Sequence, residues 1–171
     1  MIASRVHHRL KRVSAKDVND QSRWPALQGP HNAQNAACAI ATCEALGLTA
    51  DQIEAGLKSY PGLPHRMERV REVNGVLYVN DSKATNPTST APALAAYPGV
   101  HWILGGQAKT SDLDACAPHF SNVRAAYTYG QDGPMLTDLL RPHMAVVESG
   151  TLDRAVKNAA DVAHRGETVI L

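Results

Sequence analysis

Residues 101–171 read HWILGGQAKTSDLDACAPHFSNVRAAYTYGQDGPMLTDLLRPHMAVVESGTLDRAVKNAADVAHRGETVIL, and this stretch decides the fold. HWILG, VRAAYTYG, AVVES and ETVIL are short apolar runs rich in β-branched and aromatic residues, and they read as strands. Between them, Asp112 to His119, Gly133 to Arg141 and Leu152 to Ala163 read as helices. Strands alternating with helices predict an α/β domain whose mostly parallel sheet is covered on both faces. Ligands bind such sheets outside the carboxyl ends of the strands. The loops of interest are therefore those after Asn80, Leu104, Tyr129 and Leu171, the last being the end of the chain.

Working outward, RMERVREV and VLYVN flank Asn74-Gly75, a strong hairpin signal. Ser89 to Tyr97 reads as a helix with Pro92 in its first turn, where a missing N–H does no harm. Upstream, Asn32 is the expected N-cap of a helix from Ala33 to Leu46, and Gly47 its C′ residue. Thr49 caps a shorter helix through Lys58, which Pro61-Gly62 ends. The first 30 residues are polar and basic, with Arg5, His7, His8, Arg9, Lys11, Arg12 and Lys16 close together. They read as a solvated edge or as an anion-binding arm, although no aromatic precedes Trp24 to stack on a base.

Composition excludes several classes of function. The 171 residues are 44% hydrophobic and 19% charged, with a net charge of +1, which supports neither disorder nor a general nucleic-acid or membrane-surface binder. No apolar run approaches the ~20 residues needed to cross a bilayer. The opening MIASRVHHRLKR lacks the apolar core of a secretory signal, so a cytoplasmic protein is expected. Cys38, Cys43 and Cys116 lack CxxC spacing and are read as packing residues. An unpaired final strand would be an aggregation risk.

Polar groups cluster at the strand ends. In DSKATNP, which follows VLYVN, Asp81 is placed to accept hydrogen bonds from a ribose diol. Lys83 and the hydroxyls, Thr85 among them, suit phosphate or carboxylate oxygens; alternatively Asp81 and Thr85 simply cap and turn the backbone. In LGGQAKTSD, Gly105-Gly106 allows close backbone approach and Lys109 adds a positive charge, or the loop is an ordinary turn with a solvated lysine. It is no Walker A motif, because no Gly-Lys pair occurs. Asn32 and Asn35 share a helix face and suit an adenine edge or a cap. His65 and Arg66 open the first strand; an Arg there can stack on a base or form a surface pair. His101, His119, His143 and His164 show no metal-ligand spacing.

GPHNAQNAACA (29–39), GLPHRMERV (62–70), NGVLYVNDSKATNP (74–87) and GGQAK (105–109), in this order, resemble the Mur ligases of peptidoglycan synthesis. DSKATN is the most specific element and favours the branch that adds D-glutamate. The resemblance implies that residues 1–61 are the helical tail of a central ATPase domain. It makes 62–171 a Rossmann-like C-terminal, amino-acid-binding domain, opening on a β-hairpin and truncated at its C-terminus. It further implies ATP-dependent amide formation between UDP-N-acetylmuramoyl-L-alanine and D-glutamate through an acyl phosphate. ATP and Mg²⁺ are the implied cofactors, and the full-length protein is expected to be a monomer with no nucleic-acid partner and no membrane insertion.

By the same resemblance, Asn35, His65 and Arg66 are adenine contacts and Asp81 the ribose-binding carboxylate. Lys83 and Thr85 lie near the phosphates and the incoming amino acid, and Lys109 holds a carboxylate of D-glutamate. The family's Walker A loop, Mg²⁺ carboxylate and modified lysine belong upstream of these motifs, and its Ser/Cys stretch and Phe follow the last strand. The chain is therefore expected to be part of a ligase and inactive alone. The alternatives are another Mur or folylpolyglutamate-type ligase and a noncatalytic nucleotide- or amino-acid-binding module.

Overall fold

The computed structural model describes residues 10–108 and 111–171. They form two compact units that divide between Pro61 and Gly62. Of the basic N-terminal residues, Arg5, His7, His8 and Arg9 lie outside the described residues.

The first unit is helical, with α1 (Pro30–Ala45) and α2 (Ala50–Ser59) following a 3₁₀ turn at Ala15–Asp17. The expected cap at Asn32 is corrected. Gly29, with φ of 88°, is the N-cap and Pro30 the first helical residue, where the absent N–H is one of the helix's unpaired donors anyway. Asn32 instead lies in the first turn, and its Nδ2 donates to the Gln28 carbonyl at 3.0 Å. At the other end Gly47 has φ of 85°. The N–H groups of Gly47 and Leu48 donate to the carbonyls of Glu44 and Cys43, a Schellman closure. Thr49 and Gln52 form a reciprocal capping box at the start of α2. Buried Trp24, Leu27 and Ala36 make a small core, and the Trp24 indole donates to Glu54 at 3.1 Å.

The second unit is a six-stranded sheet in the order β1-β2-β6-β3-β4-β5. Its strands are β1 (Glu68–Val73), β2 (Val76–Asn80), β3 (Val100–Gly105), β4 (Val123–Tyr129), β5 (Ala145–Gly150) and β6 (Thr168–Ile170). Only β1–β2 is antiparallel. Its turn holds Asn74 and Gly75 at φ of 54° and 80°, the left-handed pair that a two-residue hairpin demands. The helices are α3 (Pro87–Ala96), α4 (Gly133–Leu140) and α5 (Leu152–Val162). Alternation along the strands sorts the core into two layers. Trp102, Ala126 and Ile170 meet Ala93 and Leu94 of α3 and Leu140 of α4. Ile103, Tyr127 and Val169 face Ala155 and Ala159 of α5, whose small side chains let that helix lie close.

Several expectations change. The third helix begins at Pro87 rather than Ser89, because Asn86 caps it by accepting the Ser89 N–H at 2.9 Å. Pro92 therefore falls inside the helix rather than in its first turn. Residues 112–119 form turns leading into a 3₁₀ helix at Ala117–Asn122, not an α-helix. Cys116 is buried, but Cys38 is exposed and Cys43 half-buried, so packing explains only one of the three. The final strand is not left without a partner: β6 pairs with β2 on one side and β3 on the other.

At the amino end of β3, the buried His101 bridges Tyr127 Oη and Glu167 Oε2, each at 2.9 Å. Arg124 Nε lies 3.3 Å from the other Glu167 oxygen. Burial alone would push the Glu167 pKa up. The hydrogen bonds of His101 and the His164 N–H, with the Arg124 charge, outweigh it and hold the group below the ordinary 4.5. A depressed folded pKa adds stability above the unfolded pKa, which is lost as pH falls through the folded value. Glu167→Gln is thus expected to lower stability at neutral pH and to flatten the acid side of a urea-midpoint profile. Parallel profiles for the two proteins would contradict this.

Candidate functional site

The carboxyl ends of β2, β6, β3 and β4 surround a cavity of about 240 Å³. Asp81, Thr85, Gly105, Gln107, Tyr129 and Leu171 lie on its walls, and Trp102, Cys116 and Leu136 supply apolar surface. The strand–helix alternation predicts a ligand site at this end of the sheet.

Asp81 is the best-fixed polar residue of the cavity. It is only 6% exposed, and its N–H donates to the Leu171 carbonyl at 2.7 Å. Its own carbonyl accepts the Ala84 N–H at 2.7 Å, which turns the chain back sharply after β2. Its Oδ1 accepts the Met67 N–H at 2.9 Å. Burial raises the Asp81 pKa above 3.8, and the Met67 N–H and the Arg66 charge oppose that only in part. A buried carboxylate under such tension gains from a further donor, and vicinal hydroxyls supply two.

The turn before β1 is folded against this loop. His65 and Met67 adopt left-handed φ of 62° and 47°, uncommon for residues other than glycine. The His65 N–H donates to Glu68 Oε2 at 2.8 Å, and its carbonyl accepts the Lys83 N–H at 3.0 Å. Asn80 Nδ2 lies 2.9 Å from His65 Nδ1. His65, Arg66 and Lys83 are exposed, so this knot presents two cations and an imidazole beside the buried carboxylate.

The opposite wall comes from the loops after β3 and β4. The Gly106 N–H donates to the Tyr129 carbonyl at 2.9 Å and the Asp132 N–H to the Gly106 carbonyl at 3.1 Å. Asp132 Oδ2 accepts the Ala108 N–H at 2.7 Å. The Cys116 thiol is pushed up to about 11 by burial, with Asp112 adding to it, so it is a wall and not a nucleophile.

Of the residues expected from sequence, Asp81 and Thr85 line the cavity, and His65, Arg66 and Lys83 gather on the adjoining turn. Asn35 belongs to the first unit, exposed on α1 with its Nδ2 3.3 Å from Asn32 Oδ1. Lys109 lies outside the described residues. Asn86, Thr90, Gln107, Tyr129 and Asp132 were not singled out. Asn86 precedes a proline that starts a helix, a legible cap signal. The others depend on which loops meet across the sheet.

A largely parallel sheet with a polar-walled cavity at its carboxyl ends defines a Rossmann-like domain. The family described as "Mur ligase, glutamate ligase domain" matches residues 65–171, and the chain belongs to the Mur ligase family. It is 54% identical to the UDP-N-acetylmuramoylalanine–D-glutamate ligase of Novosphingobium aromaticivorans over 159 residues, covering 93% of this chain and 36% of that protein. The ligase of the same name from Zymomonas mobilis is 51% identical over 174 residues, covering 100% of this chain and 40% of that one. The chain thus spans about two fifths or less of these relatives. Two solved structures share its fold. UDP-N-acetylmuramate-alanine ligase from Thermotoga maritima gives a TM-score of 0.57 at 16% identity, over 83% of this chain and 34% of that chain. A bifunctional folylpolyglutamate synthase/dihydrofolate synthase from Yersinia pestis gives 0.57 at 22%, over 81% and 35%.

Proposed function

We propose that this chain is part of a cytoplasmic, ATP-dependent ligase that joins D-glutamate to UDP-N-acetylmuramoyl-L-alanine during peptidoglycan synthesis. In this reading residues 1–61 end an ATP-binding domain and residues 62–171 form the amino-acid-binding domain. The observation that carries it is the buried Asp81 on the wall of the carboxyl-end cavity, within the region that matches the family. The similarity to two D-glutamate ligases supports the substrate.

The substrate carboxylate attacks the γ-phosphorus of ATP and releases ADP to give an acyl phosphate, and the deprotonated D-glutamate amine then attacks the acyl carbon and displaces inorganic phosphate. Positioning and charge neutralisation are what a protein adds to such a reaction. Asp81 accepts hydrogen bonds from the ribose diol, His65 and Arg66 are adenine contacts of the second unit, and the family resemblance assigns Asn35 of the first unit to adenine as well. Lys83 and Thr85 face the phosphates and the incoming amino acid, and Lys109 neutralises a D-glutamate carboxylate. Among the described residues no three His, Cys, Asp or Glu side chains gather to hold a metal ion. No described helix is long and apolar enough to cross a membrane. The ligase acts on small molecules and as a monomer.

The test is phosphate release by the full-length protein that carries this chain, given UDP-N-acetylmuramoyl-L-alanine, ATP, Mg²⁺ and D-glutamate. Release should require D-glutamate, and Lys109→Ala should reduce kcat/KM for D-glutamate by roughly a hundredfold, the scale of losing a charge-assisted contact. Turnover indifferent to D-glutamate would overturn the substrate assignment and leave the binding-module alternative.

A further inference from the structure

The second half of the cavity wall rests on a residue outside it. Asp132 is the N-cap residue of α4, and aspartate is among the best N-caps because its carboxylate usually accepts an N–H of its own helix. Here it makes no such bond. Its Oδ2 instead accepts the Ala108 N–H at 2.7 Å, 24 positions away in the loop after β3. Its backbone N–H donates to Gly106 of the same loop at 3.1 Å, so Asp132 grips that loop at two points two residues apart. Between them stands Gln107, and Gln107 and Ala108 both line the cavity.

The grip is itself anchored. The Gly130 N–H donates to the Gly150 carbonyl at 3.0 Å, and the Gly133 N–H to the Gly130 carbonyl at 3.2 Å. The loop after β4 is thereby fastened to the end of β5 before it reaches across to the loop after β3. A short carboxylate–amide bond of this kind carries both energy and direction. A helix that gives up its own cap for a neighbouring loop has that capacity directed at the loop's conformation.

We infer that Asp132 is a positioning residue of the ligase: its carboxylate holds the Gly105–Ala108 wall in the shape that receives the amino-acid substrate. This rests on the ligase reading above, which gives that loop to D-glutamate. The carboxylate touches no substrate and acts through the Ala108 N–H.

Two substitutions in the full-length ligase separate this role from helix capping. Asp132→Asn keeps an acceptor of the same reach. Asp132→Ser keeps a capable N-cap but is too short to reach Ala108. Asp132→Ser is expected to raise KM for D-glutamate roughly tenfold, with KM for ATP changed less than about twofold. It should also speed amide exchange of Ala108, while Tyr127 in the core stays protected. Asp132→Asn should restore both towards the parent values. Unchanged D-glutamate KM in Asp132→Ser, or an equal rise for both substrates with a lowered melting temperature, overturns the positioning role. If the parent enzyme ignores D-glutamate, the ligase reading fails on its own. The exchange of Ala108 then still decides the clamp, and unaltered exchange in Asp132→Ser sinks it.

Discussion

Asp81→Ala should cost about 1–3 kcal/mol of stability, the penalty for leaving a buried N–H without an acceptor, whereas Asp81→Asn should be neutral or stabilising at neutral pH. The difference lies in one hydrogen bond. The Met67 N–H, held by a backbone at φ of 47°, has the Asp81 carboxylate as its acceptor at 2.9 Å, and Met67 itself is only 6% exposed. Asparagine still offers Oδ1 to that N–H; alanine offers nothing. The sign of the charge effect follows from burial, which raises the folded pKa of Asp81 above 3.8. A raised folded pKa means that the stabilising contribution is complete below the unfolded pKa and disappears as pH rises through the folded one. Above that folded pKa the parent carries a desolvated charge that asparagine removes. In the ribose-binding role proposed for Asp81, function should move oppositely, since a neutral amide is a poorer partner for two hydroxyls: Asp81→Asn should raise KM for ATP roughly tenfold. Urea midpoints at neutral and mildly acidic pH, with KM for ATP in the full-length ligase, read both effects. If asparagine destabilises as much as alanine, the Met67 bond is not what makes Asp81 necessary to the fold.

Gly105→Ala is expected to be the more damaging change, at roughly 3 kcal/mol or more, because its methyl group meets backbone that cannot swing aside. A Cβ at Gly105 would stand 2.0 Å from the Tyr129 carbonyl oxygen, the same oxygen that accepts the Gly106 N–H. Relief requires separating the ends of β3 and β4, which together form one side of the cavity. Gly106→Ala supplies the comparison. Its Cβ would meet nothing within 4 Å, so only the left-handed φ of 86° opposes it, worth about 1–2 kcal/mol. Equal urea midpoints for the two variants would show that the β3–β4 crossing yields more easily than its geometry indicates. The expected result is a clear gap, with Gly105→Ala also lowering affinity for the amino-acid substrate proposed to bind at this loop.

The succession of strands and helices was legible in the sequence because its evidence is local. Asn74-Gly75 admits little but a tight hairpin turn, Thr49 and Gln52 cap a helix through contacts three residues apart, and Gly47 closes α1 through neighbouring carbonyls. Two boundaries were misread where competing local signals were of similar strength. Gly29-Pro30 prevailed over Asn32 because proline is preorganised for a first helical turn, and Asn86-Pro87 prevailed over Ser89 for the same reason. Asp81 and Thr85 were recognisable as a polar loop at a strand end. That Asp81 is buried, and spends one oxygen on Met67 fourteen positions earlier, was not.

By itself, then, the sequence determined the alternation of strands and helices, the hairpin, the end of the sheet where the cavity opens, and the family likeness of DSKATNP. Each is written in near neighbours or in a periodicity of two or 3.6. Only the tertiary structure decided that the last strand lies between β2 and β3, so that Leu171 stands beside Asp81 at the cavity. It alone decided that Asp132 leaves its own helix uncapped to hold Ala108. Strand order and loop-to-loop contacts are set by which faces pack best once the chain has closed on itself, and residues far apart in sequence carry no local signal of that choice.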